Sequence, residues 1–211
     1  MSAEIVEFEA RRLIPNHPVL TRVEAYWDGL RNGRDAPSRA EVDPRGLSGV
    51  LRHCFVLERI APGLARVRVA GQAISDQMGL EMKGMPFSTL FLPEARDQLE
   101  SVLERVFATP ETARLAVMSP PGFKRRRVTG QLLLLPLRCD LGTTSRAMGC
   151  LVMDDLEGRR PRRLDITAAD QRATTSRPNA QMRAAPDQTQ VPMPQGDAKV
   201  ITFRVRPDAT V

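Results

Sequence analysis

The chain has 211 residues, 42% of them hydrophobic, which suffices for one core domain of about 100 to 150 residues with extensions. Its net charge is +6, yet residues 1–156 carry 21 Lys and Arg against 19 Asp and Glu, while 157–211 carry 10 against 6. A near-neutral body argues against a nucleic-acid surface across the core and confines polyanion attraction to particular segments. The three cysteines, Cys54, Cys139 and Cys150, show no C-x-x-C spacing and sit in apolar or strand-like runs, so they read as buried small hydrophobes. The opening Met1-Ser2-Ala3-Glu4-Ile5-Val6-Glu7 lacks an apolar signal region, and the longest apolar run, 132–135, is too short to span a bilayer. The expectation is a soluble cytoplasmic protein with no membrane insertion.

Residues 1–18 read as an arm. Asn16 and Pro18 then mark a helix start, with Val19, Leu20, Val23, Tyr26, Trp27 and Leu30 at helical spacing and Asn32-Gly33 as the stop. The helix is amphipathic, and Trp27, the only tryptophan, lies on its apolar stripe. An amphipathic helix ahead of a sheet can pack on its own core or on a second copy, so Val23, Tyr26 and Trp27 are the candidate interface residues. The polar loop 33–44, with two prolines and charges that can pair locally, reads as an ordered connector to the first strand.

Residues 53–84 organise the rest. Cys54-Phe55-Val56-Leu57-Glu58-Arg59-Ile60 is aromatic and β-branched, Arg66-Val67-Arg68-Val69 alternates charge and valine, and Pro62-Gly63 between them fits a hairpin turn. Ile74 and Met78 lie one helical turn apart before Gly79, predicting a short helix. Residues 93–108 form the clearest helix, with Leu99, Val102, Leu103, Val106 and Phe107 on one face. Three strands follow at 112–118, 127–137 and 147–153. Two strands, helices and three more strands predict an α+β fold: a five-stranded antiparallel sheet with helices on one face.

The order of elements, together with Tyr26-Trp27-Asp28-Gly29-Leu30-Arg31, Gly33-Arg34, Pro37-Ser38-Arg39, Asp43-Pro44, Arg68-Val69-Ala70-Gly71 and Leu135-Pro136-Leu137, resembles a family of short bacterial PAS-like proteins over residues 19–156. The resemblance implies a sensory or protein-interaction module of bacterial signal transduction that meets a signalling partner in trans, and not an enzyme. It also implies that helices roof the sheet and that a small ligand, or side chains alone, fill the space between. The residues expected to face that space are Phe55, Leu57, Val67, Val69, Ile74, Met78, Phe87, Leu134 and Val152. No cofactor is expected: His17 and His53 do not sit where a haem-binding member carries its axial ligand, and 71–84 has no flavin-reactive cysteine.

No Walker loop, nucleophile elbow or four-ligand metal pattern occurs. Asp154-Asp155 reads as solvated acids at a strand end rather than a catalytic pair. Lys124-Arg125-Arg126-Arg127 is the densest basic run; it reads as a solvated hairpin edge, with polyanion or nucleic-acid binding as the alternative. From 157 to 196 five prolines and few large apolar residues predict a disordered linker in which only Thr167-Ala168-Ala169-Asp170 could cap a brief helix. Residues 197–211 return to strand-like alternation, suited to adding to an exposed sheet edge of its own or a partner's domain.

Overall fold

Proline at the first turn starts the N-terminal helix, α1 (Pro18–Arg31), where its missing N–H leaves no bond unmade, and His17 Nδ1 accepts from the Val19 amide at 3.2 Å. Asn32, in the left-handed region at φ 44°, closes it. This computed structural model describes residues 14, 16–122, 126–139, 142–154 and 162–174. Most of the arm, Lys124, Arg125 and the strand-like segment 197–211 lie outside the described residues.

The connector is ordered by its own polar side chains. Ser38 and Glu41 cap each other's backbone around a 3-10 turn at Arg39–Glu41, and Arg34 holds Glu41 at 2.7 Å. Asp43 caps a second 3-10 turn, Pro44–Leu47, and a third, Leu51–His53, leads into the sheet. Strands β1 (Cys54–Ala61) and β2 (Leu64–Ala70) form the predicted hairpin, with Gly63 at φ 66° in its turn. The Gly63 amide donates to Glu104 Oε2 at 2.8 Å, and Arg59 grips both oxygens of that carboxylate at 2.7 and 2.9 Å, so the hairpin tip is fastened to the helix carrying Glu104.

Helix α2 (Gln72–Met78) follows, then 3-10 turns at Phe87–Leu90 and Pro93–Ala95, and α3 (Arg96–Ala108). Strands β3 (Glu111–Ser119), β4 (Val128–Leu137) and β5 (Arg146–Met153) agree with the expected positions within a residue or so. A sixth strand, β6 (Asp165–Ala173), falls inside the stretch expected to be a disordered linker, and Thr167-Ala168-Ala169-Asp170 is strand rather than helix. The sheet runs β2-β1-β5-β4-β3-β6 with every neighbouring pair antiparallel.

The helices that follow the hairpin roof one face, as expected, and the N-terminal helix with the connector covers the other. On the inner face α2, α3 and the 3-10 turns between them bury Phe55, Leu57, Val67, Leu115, Leu132 and Leu134. On the outer face α1 and the connector bury Cys54, Leu133, Leu135, Met148, Cys150 and Val152. Strand β4 serves both cores, because its consecutive leucines point alternately to one side and the other.

Candidate functional site

Seven of the nine residues expected between sheet and helices are there. Phe55, Leu57, Val67, Ile74, Met78, Phe87 and Leu134 share the inner core, each no more than 3% exposed. They fill the space themselves. The Phe55 and Phe87 rings lie 5.1 Å apart and Phe91 meets Phe87 edge-on at 5.6 Å, while Met78 and Met82 pack in the same cluster.

Val69 and Val152 are corrections. A bulge inserts Arg68 between Val67, opposite Leu57, and Val69, opposite Val56, so the alternation slips by one and Val69 turns to the outer face, 51% exposed. On β5 it is Leu151 and Met153 that join the inner core; Val152 packs outward with Met148 and Cys150. Between them Gly149 leaves room for the Phe55 ring, whose nearest atom lies 2.1 Å from where a Cβ would stand.

The residues expected at an interface pack as follows. Val23 and Trp27 are buried on the outer face of their own sheet, where the Trp27 Nε1–H donates to the Pro136 carbonyl at 2.8 Å. Tyr26 is half-buried, its hydroxyl bonded to the Asp43 backbone N–H and C=O, both at 2.9 Å. Arg114 of β3, 9% exposed, adds a charged clamp: it donates to Glu24 Oε2 at 2.6 Å and Asn16 Oδ1 at 3.0 Å, holding α1 to the sheet. Such partners are what allow a guanidinium to be buried at all.

An open apolar groove of about 330 Å³ lies beside α1, between the connector and the outer face of β1 and β2. Val42, Leu47, Leu51, Cys54, Val56, Val69 and Met148 line it, with Arg39 as its one cation. The Arg39 backbone N–H bonds the Arg138 carbonyl at 2.8 Å, and no ion pair of its side chain is found among the described residues. The capping motifs at Ser38-x-x-Glu41 and Asp43-Pro44 were a legible signal for the ordered wall of this groove.

Cys54 sits on the groove floor directly opposite Cys150 across the β1–β5 pairing, and both are reduced thiols. The Cys54 S–H donates to the Val50 carbonyl at 3.4 Å. The neighbouring Cys150 thiol holds Cys54 below the ordinary thiol range, against the opposing effect of burial, while Cys54 and then burial push Cys150 up. Of the basic run, Arg126 and Arg127 are described and both are exposed. Among the described residues no group of three or more His, Cys, Asp or Glu side chains is placed to hold a metal ion, and no helix is long and apolar enough to cross a membrane.

A single antiparallel sheet interrupted after its first hairpin by roofing helices is an architecture of the α+β class. The sequence profile described as PAS domain matches residues 15–152, and the chain belongs to the PAS domain family. No curated protein matches it. Among solved structures it is similar to a sensory box sensor histidine kinase from Vibrio cholerae, at 12% identity and a TM-score of 0.37, over 49% of this chain and 82% of that one. It is also similar to a Rhodobacter sphaeroides LOV protein, at 12% identity and a TM-score of 0.40, over 68% of this chain and 71% of that one. A third is the dark-state LOV domain of the blue-light photoreceptor Aureochrome1, at 9% identity and a TM-score of 0.38, over 67% and 86% of the two chains.

Proposed function

We infer that this chain is a sensory PAS module that passes its state to a signalling protein in trans by surface contact, without catalytic turnover. The observation that carries the reading is where apolar surface stands open. Ile60, Leu64 and Val69, 46%, 37% and 51% exposed, lie along the β1–β2 hairpin at the edge of the sheet, while the interior is closed by its own rings. Open apolar side chains on an edge strand invite a partner's apolar surface or strand. Val23 and Trp27 are spent on the intramolecular core, so the contact runs through the hairpin rather than through α1.

The test is quantitative capture from the native cytoplasm with wild-type chain and with Val69→Asp and Ile60→Asp as baits, each variant first shown to melt like wild type. A signalling protein enriched by wild type and reduced at least about ten-fold by either variant is the expected result. Indistinguishable capture by all three baits, or a turnover reaction shown for the purified chain, overturns the reading.

A further inference from the structure

We propose that Cys54 and Cys150 form a peroxide-reactive dithiol whose oxidant is a fatty-acid hydroperoxide bound in the groove above Cys54. The chemistry stands on this chain's own geometry; the partner-contact reading supplies only a use for it.

Three observations meet at this spot. The first is pairing. The Cys54 carbonyl accepts the Gly71 amide at 2.8 Å, so the backbone groups of Cys54 point toward β2 and away from β5. Cys54 and Cys150 therefore occupy a non-hydrogen-bonded position of the β1–β5 ladder, where opposed Cα atoms stand about 4.5 Å apart and side chains come closest. That separation lies at the lower end of what a disulfide accepts, about 4.4 to 6.8 Å. Both side chains belong to the same outer core, so they face each other rather than opposite sides of the sheet.

The second is asymmetry. Cys54 lines the groove, whereas Cys150 is 0% exposed beneath it. Only Cys54 can be reached from the groove, and the neighbouring Cys150 lowers the Cys54 pKa while its own is raised, which separates an attacking sulfur from a resolving one. The third is the shape of the access route. Its walls are Val42, Leu47, Leu51 and Met148, a lining that rewards an alkyl chain over water or hydrogen peroxide, and Arg39 stands among them, with no ion pair among the described residues, to meet a carboxylate.

The step balances. The Cys54 thiolate attacks the distal oxygen of the hydroperoxide, the O–O bond breaks, and the fatty alkoxide takes a proton and leaves as the hydroxy acid. Cys54 is then the sulfenic acid. The Cys150 sulfur attacks the Cys54 sulfur, the disulfide forms, and the hydroxide leaving Cys54 takes the Cys150 proton and departs as water. Two thiols are oxidised by two electrons while one peroxide is reduced to an alcohol and water.

The experiment treats the reduced full chain with linoleic acid hydroperoxide or with hydrogen peroxide and follows intact mass and the tryptic map. The expected product is 2 Da lighter (two hydrogens) by the stoichiometry of disulfide formation, with Cys54 and Cys150 peptides joined. The fatty hydroperoxide should act at least about ten-fold faster than hydrogen peroxide, and Arg39→Ala should remove most of that advantage while leaving the hydrogen peroxide rate alone. Cys150→Ser should stop at a sulfenic acid on Cys54 that dimedone traps, and Cys139→Ser should react like wild type. Equal rates with the two peroxides, a link that includes Cys139, or loss of two hydrogens persisting in Cys54→Ser would each overturn the proposal. Circular dichroism of every variant separates a reactivity change from a folding failure.

Discussion

At the scale of single residues, the packing of Phe55 on Gly149 decides how tightly the inner core closes. A methyl group at residue 149 would stand 2.1 to 2.8 Å from three atoms of a rigid ring that Phe87 already backs, so the ring cannot swing aside cheaply. Gly149→Ala is expected to cost about 2 kcal/mol or more by overpacking, read as a lower urea midpoint at unchanged slope. Adding Phe55→Leu should return part of that loss, so the double-mutant cycle should give a coupling well above about 0.5 kcal/mol; simple additivity would mean the ring is not the obstacle. Two titrations act on stability in the same direction. Burial holds His53 below its ordinary pKa, so the unfolded chain takes the proton first and stability falls as pH drops below about 6.5. The hydrogen bond from Arg34 holds Glu41 below the usual carboxylate range; its contribution is full above about 4.5 and is lost as pH falls through the depressed folded value. Thermal midpoints should therefore decline from pH 7.5 to 5.5, and His53→Asn should flatten that upper window while leaving the Glu41 window below it in place.

At the scale of elements, what could be read from the chain depended on whether polarity marked a face. The hairpin, α1, α3 and the three later strands carry their own period and turn residues, and they fold where those signals put them. Glu58 on β1 marks the outer face, so the alternation points Phe55 and Leu57 inward; on β5 every residue after Arg146 is apolar and buried, and nothing in the sequence separates the facing of Val152 from that of its neighbours. Val69 was lost to a bulge, which leaves no mark in an Arg-Val-Arg-Val repeat. Strand β6 was illegible for another reason: Asp165-Ile-Thr-Ala-Ala-Asp-Gln-Arg-Ala has little strand propensity, and pairing along the full length of β3 makes it a strand. Its entry is nailed into the core by Leu164, 0% exposed, whose amide bonds Leu90 and whose carbonyl accepts from Leu92 at 2.9 and 2.8 Å. Leu164→Ala should thus cost about 2 to 5 kcal/mol, where the same change in an unstructured linker would stay within about 0.5 kcal/mol. Chemical denaturation of the single variant distinguishes the two.

At the scale of the whole described domain, the sheet is a shared wall, and that sharing sets its cooperativity. Leu132 and Leu134 of β4 close the inner core while Leu133, Leu135 and Leu137 close the outer one, so neither layer can open without turning the same strand. The outer layer is held to that wall by the Trp27 indole on the Pro136 carbonyl and by Arg114 reaching Glu24 and Asn16. The inner layer is held by Glu104 of α3 on the hairpin through Arg59 and Gly63. Each clamp links a helix to a different strand of one continuous ladder; opening the outer layer leaves the buried Trp27 N–H and the Arg114 guanidinium unpaired, and opening the inner one breaks the half-buried Arg59–Glu104 pair. Unfolding should accordingly be a single transition. Trp27 is the only tryptophan and reports the outer layer, so its fluorescence and the far-ultraviolet circular dichroism of the whole sheet should give superimposable urea curves. Arg114→Met, which removes the outer clamp's charge while keeping its bulk, leaves Glu24 without that partner and should lower both curves together. A fluorescence transition running ahead of the dichroism, in wild type or in that variant, would mean that α1 peels from the sheet as a separate unit and that the two cores are merely adjacent.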